Sequence, residues 1–248
     1  RMVISLAGKR AIYKNDMMML EMLAQCNWER PLYVATTVGS DNYMNLGDNF
    51  VQEGLAYRIT PFNTKAPGAK NFDTEKVYTN VMNRFKWGGL DKPGLYIDET
   101  VMRMCYTHRH LLAQLAMQLI AEGQNAKAEK VLRKAEKVLP EYNVPYTFMS
   151  GAADMARAYA LIGKKADAAR ILNKVWADAK SYADYYLQLT GSRFMMSQND
   201  VLRQLYIMQN IADITQACDH SLADQRLKTV NALYAVYQAK GGAPYDGE

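Results

Sequence analysis

The residue types that most often perform chemistry are sparse in this chain and form no recognised catalytic pattern. Cys105 and His108 lie three positions apart on a predicted helix, and His110 follows on a different side of that helix. No CxxC, HExxH or acidic loop accompanies them, and no GxSxG motif marks a nucleophilic serine. We therefore predict no metal site, no cofactor and no catalytic residue in this chain.

The cysteines also argue against a disulfide framework. Cys26, Cys105 and Cys218 are odd in number and far apart in the sequence. Each lies in an apolar stripe of a predicted helix, where a free cysteine usually acts as a small hydrophobic residue. We expect Cys105 to pack in the core and none of the three to act as a catalytic nucleophile.

One loop has features of a ligand site. Residues 36–43 read TTVGSDNY and follow a predicted strand, and the carboxyl end of a parallel strand is where α/β sheets bind ligands. The string matches neither GxGxxG nor a P-loop. Two interpretations stay open: Ser40 or Asp41 caps a following helix, or the loop binds a sugar or a nucleotide. The candidate ligand-binding residues are Thr36, Thr37, Ser40, Asp41, Asn42 and Tyr43.

The elements that would position this loop predict a small α/β domain over residues 1–74. Apolar, β-branched runs alternate with helical patterns, and that order is typical of a three-stranded parallel sheet with right-handed crossovers, a βαβαβ unit. Residues 75–97 are predicted to form a connecting helix and loop. The predicted strands are residues 2–6, 32–37 and 56–60, and the predicted helices are residues 16–26 and 43–52.

Residues 98–242 are predicted to be all-helical, with tetratricopeptide-like repeats. A glycine permits the tight turn between two antiparallel helices, and small residues at fixed offsets after it let the helices pack closely. This pattern occurs twice, with a spacing of 40 residues instead of the usual repeat of about 34. The positions are Gly123, Ala128 and Leu132 in the first copy, and Gly163, Ala168 and Leu172 in the second.

The first helix of each such repeat lines the concave face of the superhelix. On the first repeat most residues of this face are apolar, so we expect another part of the protein to cover it. The predicted interaction face comprises His110, Ala113, Met117, Ile120 and Arg157.

Composition excludes several classes of protein. Of the 248 residues, 49% are hydrophobic and 22% are charged. This balance is ordinary for a globular protein and differs from that of a disordered protein. No run approaches the ~18 consecutive apolar residues of a membrane span. The net charge of +5 is spread without a basic block, so we predict no nucleic-acid partner. Because the first residue is Arg1 and not Met, we expect a region of a longer protein. Residues 1–10 lack the apolar segment of a signal peptide.

Several strings together resemble one known family. They resemble the C-terminal soluble region of a Bacteroidetes membrane-protein family of unknown function that is related to transmembrane protein O-mannosyltransferases. The resemblance covers most of residues 1–240. The strings are NDMMML at 15–20, NWERPLY at 27–33, EGLAYR at 53–58, FKWGG at 85–89 and RMC at 103–105.

The resemblance implies a role that the residues alone do not. Family members are similar to GT-C glycosyltransferases: a multi-span membrane part is followed by a soluble tail with tetratricopeptide-like helices. The resemblance implies that the parent protein lies in the inner membrane and that this region faces the periplasm. It also implies that the parent protein transfers a glycosyl group from a lipid-linked sugar. The catalytic acid of GT-C enzymes lies in a loop between membrane helices, which this chain lacks, so no catalytic residue carries over.

We therefore expect a non-catalytic accessory domain for protein interaction. Its partners would be the membrane part of its own parent and an acceptor protein or glycan. The alternatives are a sugar- or nucleotide-binding module at residues 36–43, and a stand-alone repeat scaffold that binds a peptide.

Overall fold

A computed structural model describes residues 2–243 of the chain. Arg1, on which the expectation of an excised region rests, lies outside the described residues, as do residues 244–248. The chain divides into two compact units, the first ending at Lys86 and the second beginning at Trp87.

The first unit combines a small sheet with short helices. Strand β3 is central, and both β1 and β2 pair with it in antiparallel orientation. Its buried core consists of side chains from α1, the sheet and the turns between them. The elements are α1 (Lys14–Gln25), β1 (Tyr33–Ala35), β2 (Phe50–Gln52), β3 (Ala56–Ile59), α2 (Thr74–Thr79) and a π-helical turn (Asn80–Arg84).

The prediction of a parallel βαβαβ sheet is wrong. Strands β2 and β3 are joined by a tight turn at Glu53 and Gly54, where the Glu53 N–H donates to the Ala56 carbonyl at 3.0 Å. So short a connection forces antiparallel pairing, because parallel strands need a crossover of a dozen or more residues.

Two of the predicted elements on which the parallel sheet depended do not form. Residues 2–6 form no strand. The helix predicted over 43–52 is replaced by a 3₁₀ turn at Gly47–Asn49 and by strand β2. Another 3₁₀ turn occupies Ser40–Asn42. The polar and glycine residues between 39 and 49 favour turns over a continuous helix.

The second unit is helical, as predicted for the C-terminal region, and its described residues contain no strand. Helix α3 packs on α4, α5 on α6, and α8 on α9, while α3 also contacts α5 and α6 contacts α8. The helices are α3 (Glu99–Ala121), α4 (Asn125–Val138), α5 (Ala152–Leu161), α6 (Lys165–Gln188), α7 (Gly191–Met196), α8 (Gln198–Gln216) and α9 (His220–Ala239).

Helix α4 shows why this sequence folds as packed hairpins. Its apolar residues recur at steps of three and four and are buried, whereas the residues between them are charged. The charged side also contacts α6: the Arg133 guanidinium donates to both carboxylate oxygens of Asp167, at 2.9 and 2.7 Å. The Arg170 guanidinium on α6 donates to the Glu136 carboxylate on α4 at 2.5 Å. Consecutive hairpins are thus joined by ion pairs as well as by an apolar core.

Candidate binding groove of the helical unit

Two adjoining cavities lie along one side of α3. The first, of about 350 Å³, lies between α3 and α5. The second, of about 570 Å³, lies along the N-terminal half of α3, and His110 lines both. We call the two cavities together the α3 groove. The first is lined by His110, Gln114, Met117, Asp154 and Arg157; the second by Ile97, Glu99, Met102, Arg103, Tyr106, Thr107, His110 and Met149.

The N-cap of α3 and the helical periodicity of its sequence together place the groove residues on one face of the helix. The Asp98 carboxylate accepts the Val101 N–H at 3.0 Å and so caps the first turn. His110, Gln114 and Met117 then follow at steps of four and three on one face. The opposite face carries the buried side chains, among them Leu112 and Leu115, which pack in the hairpin core.

A buried arginine fixes the connection that forms one end of the groove. Arg109 on α3 is fully buried, and its guanidinium donates to the carbonyls of Leu139, Val144 and Pro145 at 3.1, 2.5 and 3.1 Å. Its charge also lies 4.9 Å from the centre of the Tyr146 ring. These contacts hold the α4–α5 connection on α3, and that connection continues to Met149 in the groove wall.

His110 bridges α3 to α5 at the junction of the two cavities. Its Nε2 lies 3.2 Å from the Met149 carbonyl, and its Nδ1 lies 3.7 Å from the Asp154 carboxylate. The interaction with Asp154 raises the pKa of His110 above the ordinary imidazole value and outweighs burial, which lowers it. Both side chains remain about half exposed, 52% for His110 and 54% for Asp154.

Arg157 provides a second charged group in the groove wall. Its guanidinium donates to the Asn210 side-chain oxygen at 2.5 Å, which links α5 to α8. A carboxylate, a cation and an imidazole therefore line the α3–α5 cavity together. Such a wall can pair with charged and hydrogen-bonding groups of a bound segment, while Met117 offers apolar contact.

The structure brings together only part of the predicted interaction face. His110, Met117 and Arg157 line the same cavity. Ala113 is fully buried and packs in the helical core, and Ile120 is half-buried near the end of α3. Sequence reasoning missed Asp154; its position three residues before Arg157 on α5 placed both on one helix face and was the available signal.

The candidate ligand loop at residues 36–43 has a different setting from the one predicted. Because the sheet is antiparallel, the argument from the carboxyl end of a parallel strand is wrong for this loop. Thr36 bonds through its N–H and hydroxyl to the Leu55 carbonyl, and Tyr43 packs edge-on against Phe50 with ring centres 5.0 Å apart. The loop side chains that remain exposed are those of Thr37, Ser40, Asp41 and Asn42.

The first unit contains a buried carboxylate that sequence reasoning did not identify. Glu53, in the β2–β3 turn, is 5% exposed and interacts with Lys76, Arg58 and Tyr33. Burial raises the pKa of this carboxyl, but the hydrogen bonds from Lys76 and Tyr33 and the two positive charges outweigh it, so the pKa is lowered. The Glu53 side chain anchors the sheet to α2. Together with Lys76, Arg58 and Tyr33 it forms a structural ion-pair cluster.

Neither the cysteines nor the acidic residues form a metal centre in the part of the chain that the structure describes, since no three His, Cys, Asp or Glu side chains lie close enough together. Cys105 is buried, and burial raises the pKa of its thiol, which disfavours the nucleophilic thiolate. No helix within residues 2–243 is long and apolar enough to cross a membrane.

One protein-family model matches the first unit of the chain. Residues 1–80 match the family model TMEM260-associated domain 2. The match covers about a third of the chain and ends before the helical unit begins. No curated protein and no solved structure matches the chain.

Proposed function

We propose that this chain is a non-catalytic accessory domain of a TMEM260-like membrane protein, and that its helical unit binds a polypeptide segment in the α3 groove. The observation that carries the proposal is the groove itself, whose wall brings His110, Asp154 and Arg157 from two helices into one cavity. The match of residues 1–80 to a TMEM260-associated domain supports the accessory role.

The helical unit suits peptide binding because it is built from hairpins in series. Gly123 and Gly163 lie in the turns of the first two hairpins, and the first helices of these hairpins, α3 and α5, lie side by side along the groove. We interpret this arrangement as tetratricopeptide-like. In such repeats an extended segment contacts several first helices at once and gains affinity from many small contacts.

The resemblance of the sequence to membrane glycosyltransferases extends the proposal. The parent would transfer a sugar from a lipid carrier, and this region would face the periplasm. The groove would then hold an acceptor protein, or a loop of the parent's membrane part, near the site of transfer. The donor sugar and the transfer chemistry would belong to the membrane part.

Site-directed photo-cross-linking tests the proposal. A photoreactive residue at Gln114, inside the groove, should form adducts with a discrete polypeptide when the protein is expressed in its own cells. The same residue at Asp224, exposed on α9 and away from the groove lining, is the matched control. Tandem mass spectrometry then identifies the cross-linked segment. Equal adduct patterns at both positions would contradict a binding groove.

Charge reversal provides the corresponding affinity test. We expect Asp154→Lys and Arg157→Glu each to weaken binding of the identified segment, synthesised as a peptide, by at least about tenfold, a change of about 1.4 kcal/mol. Asp224→Lys and Lys228→Glu, exposed on α9, make the same charge changes elsewhere and should leave affinity unchanged. Titration calorimetry on the purified chain measures all four variants.

A further inference from the structure

The hairpins of the helical unit stack in a regular way. Helix α5 contacts both helices of the α3–α4 hairpin, and α8 contacts both helices of the α5–α6 hairpin. Each of these hairpins thus receives the first helix of the next one. Within residues 2–243, no further helix follows the α8–α9 hairpin. The last hairpin of this part of the chain therefore lacks the helix that the series leads us to expect.

The last hairpin carries instead an apolar groove of about 240 Å³, which we call the α8–α9 groove. Leu205 and Val230 form its floor, since they are only 4% and 6% exposed, whereas Tyr206 is 68% exposed and stands at its rim. The Tyr234 ring stacks on the buried Tyr237 ring with centres 6.0 Å apart, which fixes the wall on α9. Terminal hairpins of repeat proteins need a polar outer face, so an apolar groove at this position indicates that a further helix covers it.

Helix α8 itself has the stripe of side chains that such a groove accepts. Leu202, Tyr206 and Gln209 follow at steps of four and three on one side of α8, and all of them line the groove. Side chains at positions i, i+4 and i+7 are the anchors by which an amphipathic helix binds in a hydrophobic groove. The same residues thus form a groove wall and a docking stripe. A two-fold symmetric interface requires this self-complementarity, because the same surface of both copies meets.

The polar groups of the groove also suit a second copy of the chain. None of the lining residues within the described chain is charged, so two copies meet there without repulsion between like charges. Besides the tyrosine hydroxyls, the polar side chains are the exposed amides of Gln209 and Asn231. Each amide carries both a donor and an acceptor and can pair with the same amide of a second copy. A partner helix with charges on its docking face would find no counterpart here.

We propose that the α8–α9 groove is a self-association surface, in which two copies of the chain pair about a two-fold axis. Helix α8 of each copy lies in the groove of the other, where Tyr206 and Leu202 fill the apolar space above Leu205 and Val230. The two helical units are then joined by the kind of contact that joins successive hairpins within one chain. The α3 groove lies on other helices, so this pairing does not depend on the proposed binding of a polypeptide there.

The oligomeric state of the purified full chain tests the pairing. Sedimentation velocity from about 1 µM to about 1 mM should show a monomer–dimer equilibrium, because a groove of this volume holds few side chains and gives weak association. Tyr206→Glu places a carboxylate in both grooves of a dimer and should raise the dissociation constant at least about a hundredfold. Tyr185→Glu makes the same change at a tyrosine of α6 that is 58% exposed and outside the groove lining, and it should leave the equilibrium unchanged.

Photo-cross-linking identifies the paired surface without the Tyr206 variant. A photoreactive residue at Gln209 should give covalent dimers of the purified chain, linked to α8 or α9 of the second copy, as tandem mass spectrometry can show. Asp224, exposed on α9 and outside the groove lining, is the control position and should give few.

Each of three results would overturn the pairing. The first is a chain that stays monomeric up to about 1 mM, which would leave a helix of another protein as the occupant of the groove. The second is a dimer that Tyr206→Glu leaves as stable as before. The third is a set of cross-links from Gln209 to a part of the second copy outside α8 and α9.

Discussion

Gly151 and His110 approach so closely that no side chain fits between them. A Cβ atom added at Gly151 would lie 2.9 Å from His110 Nδ1 and 3.1 Å from the His110 backbone nitrogen. Gly151 also has a φ of +72°, a left-handed conformation that other L residues rarely adopt. Helix α5 begins with the next residue, so this contact sets where α5 starts relative to α3.

We expect Gly151→Ala to lower the free energy of unfolding by about 2–4 kcal/mol, because backbone strain and a steric clash add together. Gly163→Ala is the matched control: its φ is +78°, but no atom lies within 4 Å of an added Cβ. That variant should lose only about 1–2 kcal/mol from the backbone. Urea unfolding followed by circular dichroism measures both, and equal losses would contradict the close packing at His110.

Arg109→Met should destabilise the helical unit more than any exposed arginine substitution. The change removes the Arg109 donor from three carbonyls. The Pro145 carbonyl keeps the Thr147 N–H, but the Leu139 and Val144 carbonyls lose their Arg109 donor, which costs about 3 kcal/mol. Arg103→Met, on the same helix, breaks only an exposed pair with Glu99 and should cost less than about 1 kcal/mol. Thermal unfolding of both variants checks this. Similar melting temperatures would show that Arg109 does not hold the α4–α5 connection.

The sequence predicted the helical region better than the sheet, for a physical reason. A helix is specified by local periodicity, and α4 and α6 each carry an uninterrupted apolar stripe. Strand direction depends instead on how segments connect. The short turn at Glu53 and Gly54 was the one local signal for a hairpin, and β2, with only three residues, was too short to show alternation.

The same holds for the α3 groove: the spacing of residues along one helix could be predicted from the sequence, but contacts between separate elements could not. Helical spacing on α3 placed His110 and Met117 on one face, and the structure has both in one cavity. Met149 comes from an irregular connection and Asp154 from another helix, so only tertiary packing brings them to His110. Ala113 shared the predicted face but is small and lies where helices pack closely, which makes it part of the core.

The buried Glu53 cluster predicts an acid-sensitive first unit. The pKa of Glu53 is lower in the folded chain than its ordinary value of 4.5, so the folded state favours the carboxylate. Its stabilisation is present above the unfolded pKa and is lost as the pH falls through the lower folded value. We expect Glu53→Gln to cost about 1–3 kcal/mol near neutral pH, and this difference from the unmodified chain to shrink below about pH 4.

Unfolding at several pH values, followed by Trp28 fluorescence in a chain that carries Trp87→Phe and Trp176→Phe so that the signal comes from the first unit, checks this expectation. Glu29→Gln provides the matched control, because Glu29 is exposed in a turn. Its stability should equal that of the unmodified chain across the range. A Glu53→Gln deficit that stays constant down to acid pH would mean that packing, and not the ionised carboxylate, accounts for the loss.

The ion pair between α4 and α6 should couple the two hairpins measurably. Arg133 and Asp167 form two parallel hydrogen bonds, at 2.9 and 2.7 Å, and their side chains are 44% and 23% exposed. A bidentate pair in partial burial is stronger than the usual surface pair, so a double-mutant cycle with Arg133→Gln and Asp167→Asn should give a coupling of about 1 kcal/mol. The cycle is measured by urea unfolding.

The pair between Arg103 and Glu99 supplies the comparison, since it lies within one helix and both side chains are 72–80% exposed. Its coupling should be about 0.3–0.5 kcal/mol and nearly vanish in about 1 M salt, where the screening length falls to about 3 Å. The coupling of Arg133 to Asp167 should persist in part, because water and ions reach it less freely. If salt abolished both couplings equally, the α4–α6 pair would act as an ordinary surface contact, and the apolar core alone would join the hairpins.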